Sequence, residues 1–237
     1  MTEQNAQPRL SVRFVNPHFL IMIKLTPRLD AVADMVNNCD TFLDVGTDHA
    51  YLPAYIVKNK ISNRAIASDI NPNPLMNAQK TLDEYSLADK ITLRLSAGFE
   101  NIEPYEAQEI AVAGMGGIMI ADMINATEWL RDEKIHLILQ PMTHFEDVWR
   151  ALFDNGFRVE AEKTVYEDKR VYLIISARYS GVKTEHKLYE YYVGNLPKSD
   201  NETDKLFVGK VIKSLYNKYN GTKDRKILEL IRSIENA

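Results

Sequence analysis

Short apolar runs alternate with amphipathic segments through most of the first 180 residues. The runs are rich in β-branched and aliphatic side chains, and the segments between them have helical spacing. A strand–helix alternation of this kind predicts an α/β fold built on a doubly wound, mostly parallel sheet. The predicted strands are residues 41–45, 64–70, 91–95, 109–114 and 135–140, and the predicted helices are residues 27–38, 53–60, 74–85 and 118–130.

Two alternating runs, residues 157–167 and 170–179, end this part of the chain and are joined by the turn-forming pair Asp168-Lys169. They predict a β-hairpin. Five parallel strands followed by a hairpin is the strand order of a class I methyltransferase sheet, which has seven strands and helices on both faces, and differs from the six-stranded dinucleotide fold.

Beyond residue 180 the pattern becomes helical, with a break at Pro197 and another expected at Asn220-Gly221. It predicts a small C-terminal helical, coiled-coil-like appendage folded as an antiparallel hairpin. We therefore divide the chain into a flexible N-terminal extension (1–21), a sheet domain (22–180) and a helical domain (181–237). The apolar residues at helical spacing are Leu206, Val211, Leu215, Tyr219, Ile227, Leu230, Ile231 and Ile234.

Helix boundaries can also be predicted from capping residues. Thr143 with Glu146, and Ser199 with Glu202, have the spacing of capping boxes. The first box would start a helix over residues 145–155, and Gly156 stands where a left-handed C-cap is expected.

The composition is that of an ordinary soluble globular protein, with 237 residues of which 45% are apolar and 26% charged. The single cysteine, Cys39, excludes an intramolecular disulfide and a cysteine-based zinc cage. The apolar run 18–23 is too short to span a bilayer. We expect a cytoplasmic protein with no membrane association and no metal.

The charge is unevenly distributed along the chain. The net charge is −4, yet residues 178–237 carry 12 basic and 8 acidic residues, and the remainder carries 17 and 25. A basic tail on an acidic body indicates contact between the tail and a polyanion, although a solvated helix surface would have the same composition.

The candidate chemistry begins where the first predicted strand ends, in the stretch FLDVGTDHAYLP (42–53). Gly46 permits a tight turn, but Asp48 would repel the pyrophosphate of a dinucleotide, so an NAD-dependent enzyme is disfavoured. Asp69 ends the second strand at the spacing from which a carboxylate can hold both ribose hydroxyls. With Asp44 nearby, the turn suits a ligand that has an adenosine and positive charges but no phosphate, as S-adenosylmethionine does.

The sequence AGMGG (113–117) follows the fourth strand and predicts a slot in which a flat base can approach the main chain. A sharp strand-to-helix turn is the structural alternative, although it would need fewer glycines. No Asn/Asp-Pro-Pro-aromatic motif is present, which indicates an acceptor other than an exocyclic amino group.

These motifs together resemble one family. DVGTDHAYLP, SDI, AVAGMGG and LILQP, preceded by Arg28-Leu29, are similar to the bacterial tRNA (adenine-22-N1)-methyltransferases over residues 22–179. The resemblance implies methyl transfer from S-adenosyl-L-methionine to N1 of an adenine in the tRNA D-arm. Two positions depart from the expected pattern: Ala97 stands where an acidic or amide residue is expected, and Met142 stands where Asn is expected.

Site residues follow from the motifs and the resemblance. The catalytic candidates are Asp48 and His49. The cofactor-binding candidates are Asp44, Gly46, Thr47, Asp48, Asp69, Ile70, Ala97, Gly98, Ala113 and Gly114. The substrate-binding candidates are Arg28, Tyr51, Met115, Gly116, Gly117, Gln140, Arg178, Lys183, Lys187, Lys210 and Lys213.

We expect tRNA as the partner and a monomeric chain, with dimerisation through the tail as the alternative. Two other functions remain open. The first is a methyltransferase for another RNA or a small molecule. The second, suggested by Ala97 and Met142, is a degenerate member that binds cofactor or RNA without transfer.

Overall fold

The computed structural model describes residues 22–237, so the predicted N-terminal extension lies outside the described residues. The sheet has seven strands in the order β3-β2-β1-β4-β5-β7-β6, with β1 to β5 parallel and β7 antiparallel to both neighbours. Both the fold class and the predicted strands are confirmed. The strands are β1 Cys39–Val45, β2 Ser62–Asp69, β3 Ile91–Leu95, β4 Glu109–Met115, β5 His136–Pro141, β6 Phe157–Glu167 and β7 Arg170–Tyr179.

Helices cover both faces of the sheet and form the tail. They are α1 Pro27–Ala33, α2 Tyr51–Lys58, α3 Pro72–Tyr85, α4 Gly117–Ala126, α5 Phe145–Asp154, α6 Glu190–Val193, α7 Glu202–Thr222 and α8 Arg225–Glu235, with 3₁₀ turns at Glu128–Leu130 and Leu196–Lys198.

Helices α1 and α4 end several residues earlier than their patterns predict, whereas α2 and α5 end within two residues of the prediction. Helix α1 stops at Ala33, because the chain turns so that the Asn37 main-chain N–H donates to Glu109 Oε2 (3.0 Å). Helix α4 stops at Ala126, because Thr127 adopts an extended conformation before the 3₁₀ turn.

Alternate residues of the central strands point into two cores. Leu43 and Val45 of β1 pack in the core beneath α4 and α5, whereas Phe42 packs in the core beneath α1, α2 and α3. Both faces are apolar, which is why the parallel strands read as nearly continuous hydrophobic runs.

The β6–β7 hairpin turns at Asp168 and Lys169, which have φ values of 47° and 63°. Positive φ at both central residues is the geometry of a type I′ turn, whose twist matches that of the strands. The end of β6 and the hairpin turn therefore lie at the sheet edge where the parallel strands end.

Neither predicted capping box forms. Before α5 the N-cap position is His144, in a left-handed conformation (φ 52°) and without a side-chain cap, so Thr143 is outside the helix. Helix α7 is capped by Asn201, which accepts a bond from the Thr203 N–H (2.8 Å), and Glu202 is already its first residue. Gly156 does adopt the predicted left-handed conformation, with φ 77°.

The tail forms the predicted antiparallel pair, α7 and α8, and the Tyr216 hydroxyl reaches Glu235 near the end of α8 (3.4 Å). The predicted break at Asn220-Gly221 is wrong, since α7 continues to Thr222 and ends at left-handed Lys223. Leu206 is 55% exposed, whereas its neighbour Phe207 is fully buried.

The tail also contributes to the core of the sheet domain. Phe207 packs in the core beneath α4 and α5, and the buried Asp204 accepts a hydrogen bond from Thr164 Oγ1 on β6 (2.6 Å). The predicted boundary at residue 180 therefore marks the end of the sheet, while the start of α7 packs against it.

Candidate functional site

The turn after β1 is bound to the end of β2. The N–H groups of Gly46 and Thr47 both donate to the Ser68 carbonyl, each at 2.8 Å. Glycine is favoured at position 46 because φ is +81°, a conformation that strains other residues; a Cβ there would also displace the Met115 methyl group. Met115, a predicted substrate residue, thus packs over the turn after β1.

A cavity of about 320 Å³ opens at this edge of the sheet. This volume is within the range of small-molecule sites. Leu29, Ala50 and Leu52 also line it and were missed, because apolar residues beside a turn carry no chemical signal. The predicted residues that line it are Arg28, Asp44, Gly46, Thr47, Asp48, His49, Tyr51, Ala113 and Gly114.

Asp44 and Thr47 form the polar floor of the cavity. Burial raises the pKa of Asp44 to about 6; the Asp69 charge adds to the rise and the nearby Thr47 hydroxyl opposes it. That hydroxyl is buried, yet no described group meets hydrogen-bond geometry with it. A buried hydroxyl without a hydrogen-bond partner lowers the stability of the fold, and a polar ligand in the cavity would supply the missing partner.

Asp48, His49 and Tyr51 form the rim of the cavity. The Asp48 and His49 side chains are 76% and 44% exposed, and His49 Nε2 lies 3.5 Å from Asp48 Oδ2. The His49 and Tyr51 rings are stacked, with centroids 5.6 Å apart. Left-handed Ala50 (φ 55°) places all three side chains beside the start of α2.

Gln140 ties the opposite wall together. The β4–β5 register shifts between Ala113 and Met115, which leaves the Gly114 N–H without a ladder partner. Gln140 Oε1 accepts from this N–H (3.1 Å) and from Arg28 Nη1 (2.8 Å). The Arg28 main-chain N–H in turn donates to Glu167 Oε2 (2.6 Å).

Gly116 and Gly117, which follow β4, have different surroundings. The Gly117 N–H donates to the Thr143 carbonyl (2.8 Å), and a Cβ on Gly117 would lie 2.1 Å from the His144 carbonyl oxygen. Close backbone packing thus accounts for Gly117. A Cβ on Gly116 would meet only Thr143 Oγ1 at 3.7 Å, so Gly116 remains open to a ligand.

Four cofactor candidates lie at the same sheet edge but outside the cavity lining. Asp69 Oδ1 accepts from the Asn71 N–H (2.7 Å), and Ile70 is 62% exposed. Ala97 lines a separate cavity beside Met123, and a Cβ on Gly98 (φ 57°) would lie 2.7 Å from the Met123 sulfur.

The basic candidates are divided between the two edges of the sheet. Arg178 pairs with Glu109 (3.1 Å) and Glu160 (3.2 Å) at the edge where the parallel strands begin, far from the cavity. Lys183 follows β7 at that edge, and Lys187 follows His186, which stacks on Phe153 at the end of α5.

Lys210 lies on the cavity side of the molecule. It lines a groove of about 440 Å³ between the residues that precede α5 and helices α7 and α8, and its ammonium is 5.4 Å from the Phe145 ring centroid. Burial and the nearby Arg170 lower the pKa of Lys210. Lys213 is exposed one turn further along α7.

Within residues 22–237 no group of three or more His, Cys, Asp or Glu side chains has an arrangement that could hold a metal ion. Over the same residues, no helix has the length and apolar character needed to cross a bilayer.

The family model described as a methyltransferase domain matches residues 25–175. The chain belongs to the methyltransferase domain family. Within that family it is 35% identical, over 155 residues, to the tRNA (adenine(22)-N(1))-methyltransferase of Bacillus subtilis (strain 168), and this match spans 65% of each protein.

Solved methyltransferase structures agree with this assignment. The structure of Streptococcus pneumoniae Sp1610 in complex with S-adenosyl-L-methionine is 29% identical, with a TM-score of 0.79, covering 90% of this chain and 99% of that one. M. capricolum TrmK in complex with S-adenosyl-homocysteine is 26% identical, with a TM-score of 0.77, covering 90% and 96%. The family resemblance predicted from the motifs is confirmed.

Proposed function

We propose that this methyltransferase transfers a methyl group from S-adenosyl-L-methionine to N1 of adenine 22 in the D-arm of tRNA. The observation that carries the proposal is the cavity at the carboxyl ends of β1 and β4, whose floor is the buried Asp44 and Thr47 pair. The similarity to the Bacillus subtilis enzyme supports the choice of acceptor.

The residues present fit this cofactor. When bound, S-adenosyl-L-methionine supplies an electrophilic methyl group on a sulfonium. Asp44 can accept from its ammonium, Asp69 can hold the ribose hydroxyls, and Gly46 lets the main chain come close. The acidic lining would repel a pyrophosphate, which supports this cofactor over NAD.

The acceptor requires positioning more than activation. Adenine N1 has an in-plane lone pair and no proton, and in-line alignment of two reactants can lower a barrier by about 7–11 kcal/mol. An unpaired base could stack against the exposed His49–Tyr51 pair, with Gly116 leaving space beside it. Asp48 would stabilise the ring cation formed by methylation.

The function is tested with unmodified tRNA transcripts, the full chain and labelled cofactor, followed by mapping of the modified nucleotide. We expect one N1-methyladenine at position 22 and no labelling of a transcript with guanine at that position. Labelling at another nucleotide or only of small molecules would contradict the proposal. Cofactor binding without transfer to any RNA would favour a degenerate binding protein.

Lys210 and Lys213 are the lysines that we propose contact tRNA phosphates. Lys210→Glu should raise the KM for tRNA about tenfold at low salt and lower the slope of log affinity against log salt by about one, because a phosphate contact is lost. Lys183→Glu is the matched control, since Lys183 lies at the opposite sheet edge. Equal losses in the two variants would indicate a general charge effect and exclude a local contact.

Cofactor binding should depend on pH through Asp44. Its folded-state pKa of about 6 is above the ordinary 3.8, so ionisation of Asp44 opposes folding above about pH 6, and this cost disappears as the pH falls through 6 towards 4. Cofactor affinity should change with pH in the opposite direction and increase as the pH rises through 6, because the ligand ammonium pairs with the ionised form of Asp44.

We expect S-adenosyl-homocysteine to bind about tenfold more tightly at pH 7.5 than at pH 5, since a group of pKa about 6 is about 90% protonated one unit lower. Titration calorimetry at several pH values checks this. Asp44→Asn should bind more weakly at pH 7.5 and with a flat pH profile. A profile unchanged by the substitution would assign the titration to another group.

A further inference from the structure

We propose that Arg28 binds the α-carboxylate of the cofactor's methionyl group. The inference rests on the proposed use of S-adenosyl-L-methionine. It assigns a cationic partner to the carboxylate end of that molecule, and no other lysine or arginine among the described residues lines the cavity. This differs from the sequence-based prediction, in which Arg28 is a substrate-binding residue.

Arg28 is held at two points, one on its main chain and one on its guanidinium. Its main-chain N–H is fixed to Glu167 at the end of β6 (2.6 Å), and its Nη1 is fixed to Gln140 Oε1 (2.8 Å). Gln140 is fully buried, and its amide cannot rotate freely because Nε2 donates to the Pro141 carbonyl (2.9 Å). A side chain held in this way binds a ligand at little further cost in conformational entropy.

The place at which it is held is the wall of the cavity. A Cβ on Gly114 would lie 3.5 Å from Arg28 Nη1, so the guanidinium sits over the bulge of β4. In the strand order, β2 with Asp69 lies on one side of β1 and β4 lies on the other. A cofactor with its ribose at Asp69 therefore directs its methionyl end to β4 and Arg28.

The charges around the cavity agree with this orientation. Of the described residues that line it, Arg28 is the only lysine or arginine, while Asp44 and Asp48 are carboxylates. The Arg28 side chain makes no ion pair with any carboxylate within residues 22–237. It contacts the neutral Gln140 amide and the Tyr172 ring, whose centroid is 5.7 Å from the guanidinium carbon. The planar guanidinium matches a carboxylate with two parallel hydrogen bonds. The ammonium and carboxylate of an amino acid would thus find opposite partners in one cavity.

The test compares two ligands that differ only in this carboxylate. Titration calorimetry of the full chain, without RNA, measures the affinity for S-adenosyl-L-methionine and for its decarboxylated form. The wild type should prefer the carboxylated ligand by about 10- to 100-fold, the range for a hydrogen-bonded charge. Arg28→Ala should reduce this preference to about threefold or less while binding the decarboxylated ligand as the wild type does.

Two variants complete the design. Lys24→Ala removes an exposed cation from the same segment outside the cavity and should keep the full preference. Arg28→Lys keeps the charge but loses the paired geometry and should give an intermediate preference, which is informative even if Arg28→Ala folds poorly. Retained binding of the decarboxylated ligand reports a folded cavity in either variant.

An undiminished preference in Arg28→Ala, or an equal loss of affinity for both ligands, would overturn the proposal. Unchanged cofactor binding with a raised KM for tRNA would instead assign Arg28 to the RNA. Because the calorimetry contains no acceptor, its failure leaves the proposed methylation of adenine 22 untouched, and failure of the tRNA mapping leaves the calorimetric result valid.

Discussion

Asp48→Asn should lower the single-turnover rate of methyl transfer about 100-fold while the protein stays folded. The substitution replaces a carboxylate by an amide of the same shape, so it removes charge from the rim of the cavity and alters little else. Positioned carboxylates that accept a proton or stabilise a developing cation are typically worth about 10²–10⁴ in rate. Because the side chain is 76% exposed, its loss should move the melting temperature by no more than about 2 °C.

The measurement is a rapid-quench time course at saturating cofactor and tRNA. Asp30→Asn is the matched control, since Asp30 is an exposed carboxylate in the first turn of α1 and does not line the cavity. A rate within about twofold of the wild type would remove Asp48 from the mechanism. His49→Ala separates the two rim residues: a loss of similar size would indicate that the imidazole 3.5 Å away acts with the carboxylate.

Gly117→Ala should destabilise the protein by about 3 kcal/mol, at the upper end for overpacking, and lower the melting temperature by about 6–12 °C. The added Cβ would lie 2.1 Å from the His144 carbonyl oxygen and 2.5 Å from that of Thr143. Both atoms belong to the backbone, so no side-chain rotation relieves the contact. The start of α4 or the loop before α5 must move, and the 2.8 Å bond from the Gly117 N–H would be strained.

Gly116→Ala is the control for this prediction, because its backbone angles (φ −67°, ψ 139°) suit any residue and its Cβ would make one ordinary contact. Thermal unfolding should show Gly116→Ala close to the wild type. If turnover nevertheless falls in that variant, the space beside Gly116 is used by the acceptor. Equal melting temperatures for Gly117→Ala and the wild type would mean that the loop before α5 yields easily.

Much of the sheet can be predicted from the sequence because its signal is local. Continuous apolar runs mark the buried parallel strands, and Asp168-Lys169 marks the hairpin. The turn after β1 can also be predicted from the sequence, since Asp44, Gly46 and Asp48 lie within five consecutive residues and line one cavity.

The helix boundaries were less predictable because they depend on tertiary contacts. Thr143 and Glu146 have the spacing of a capping box, but the close approach of Gly117 draws Thr143 away from the helix and leaves His144 in a left-handed conformation. Gly221 does not end α7, which continues to Thr222. Gly221 lies in open space, with no atom within 4 Å of its Cβ position, so no tertiary contact breaks the helix there.

The wall of the cavity could not be predicted for a different reason. Arg28 is 112 residues from Gln140 and 139 residues from Glu167, and no sequence spacing links them. Their contact depends on the register of β6 and on the bulge in β4, which exist only after the sheet has formed. The positions of the basic residues could not be predicted either. Arg178 and Lys210 are both basic residues of the C-terminal part of the sequence, but they lie near opposite ends of the parallel strands.

The burial of Phe207 and Asp204 against the sheet sets the geometry between the two parts of the molecule. A tail anchored in this way cannot swing about residue 180 without exposing an aromatic ring and breaking the bond to Thr164. These contacts restrict movement of the Lys210 groove relative to the Asp48 rim. An RNA that contacts both the groove and the rim would have to place its target base at a set distance from the phosphates bound at the groove. The position of the methylated nucleotide would then be selected by this distance.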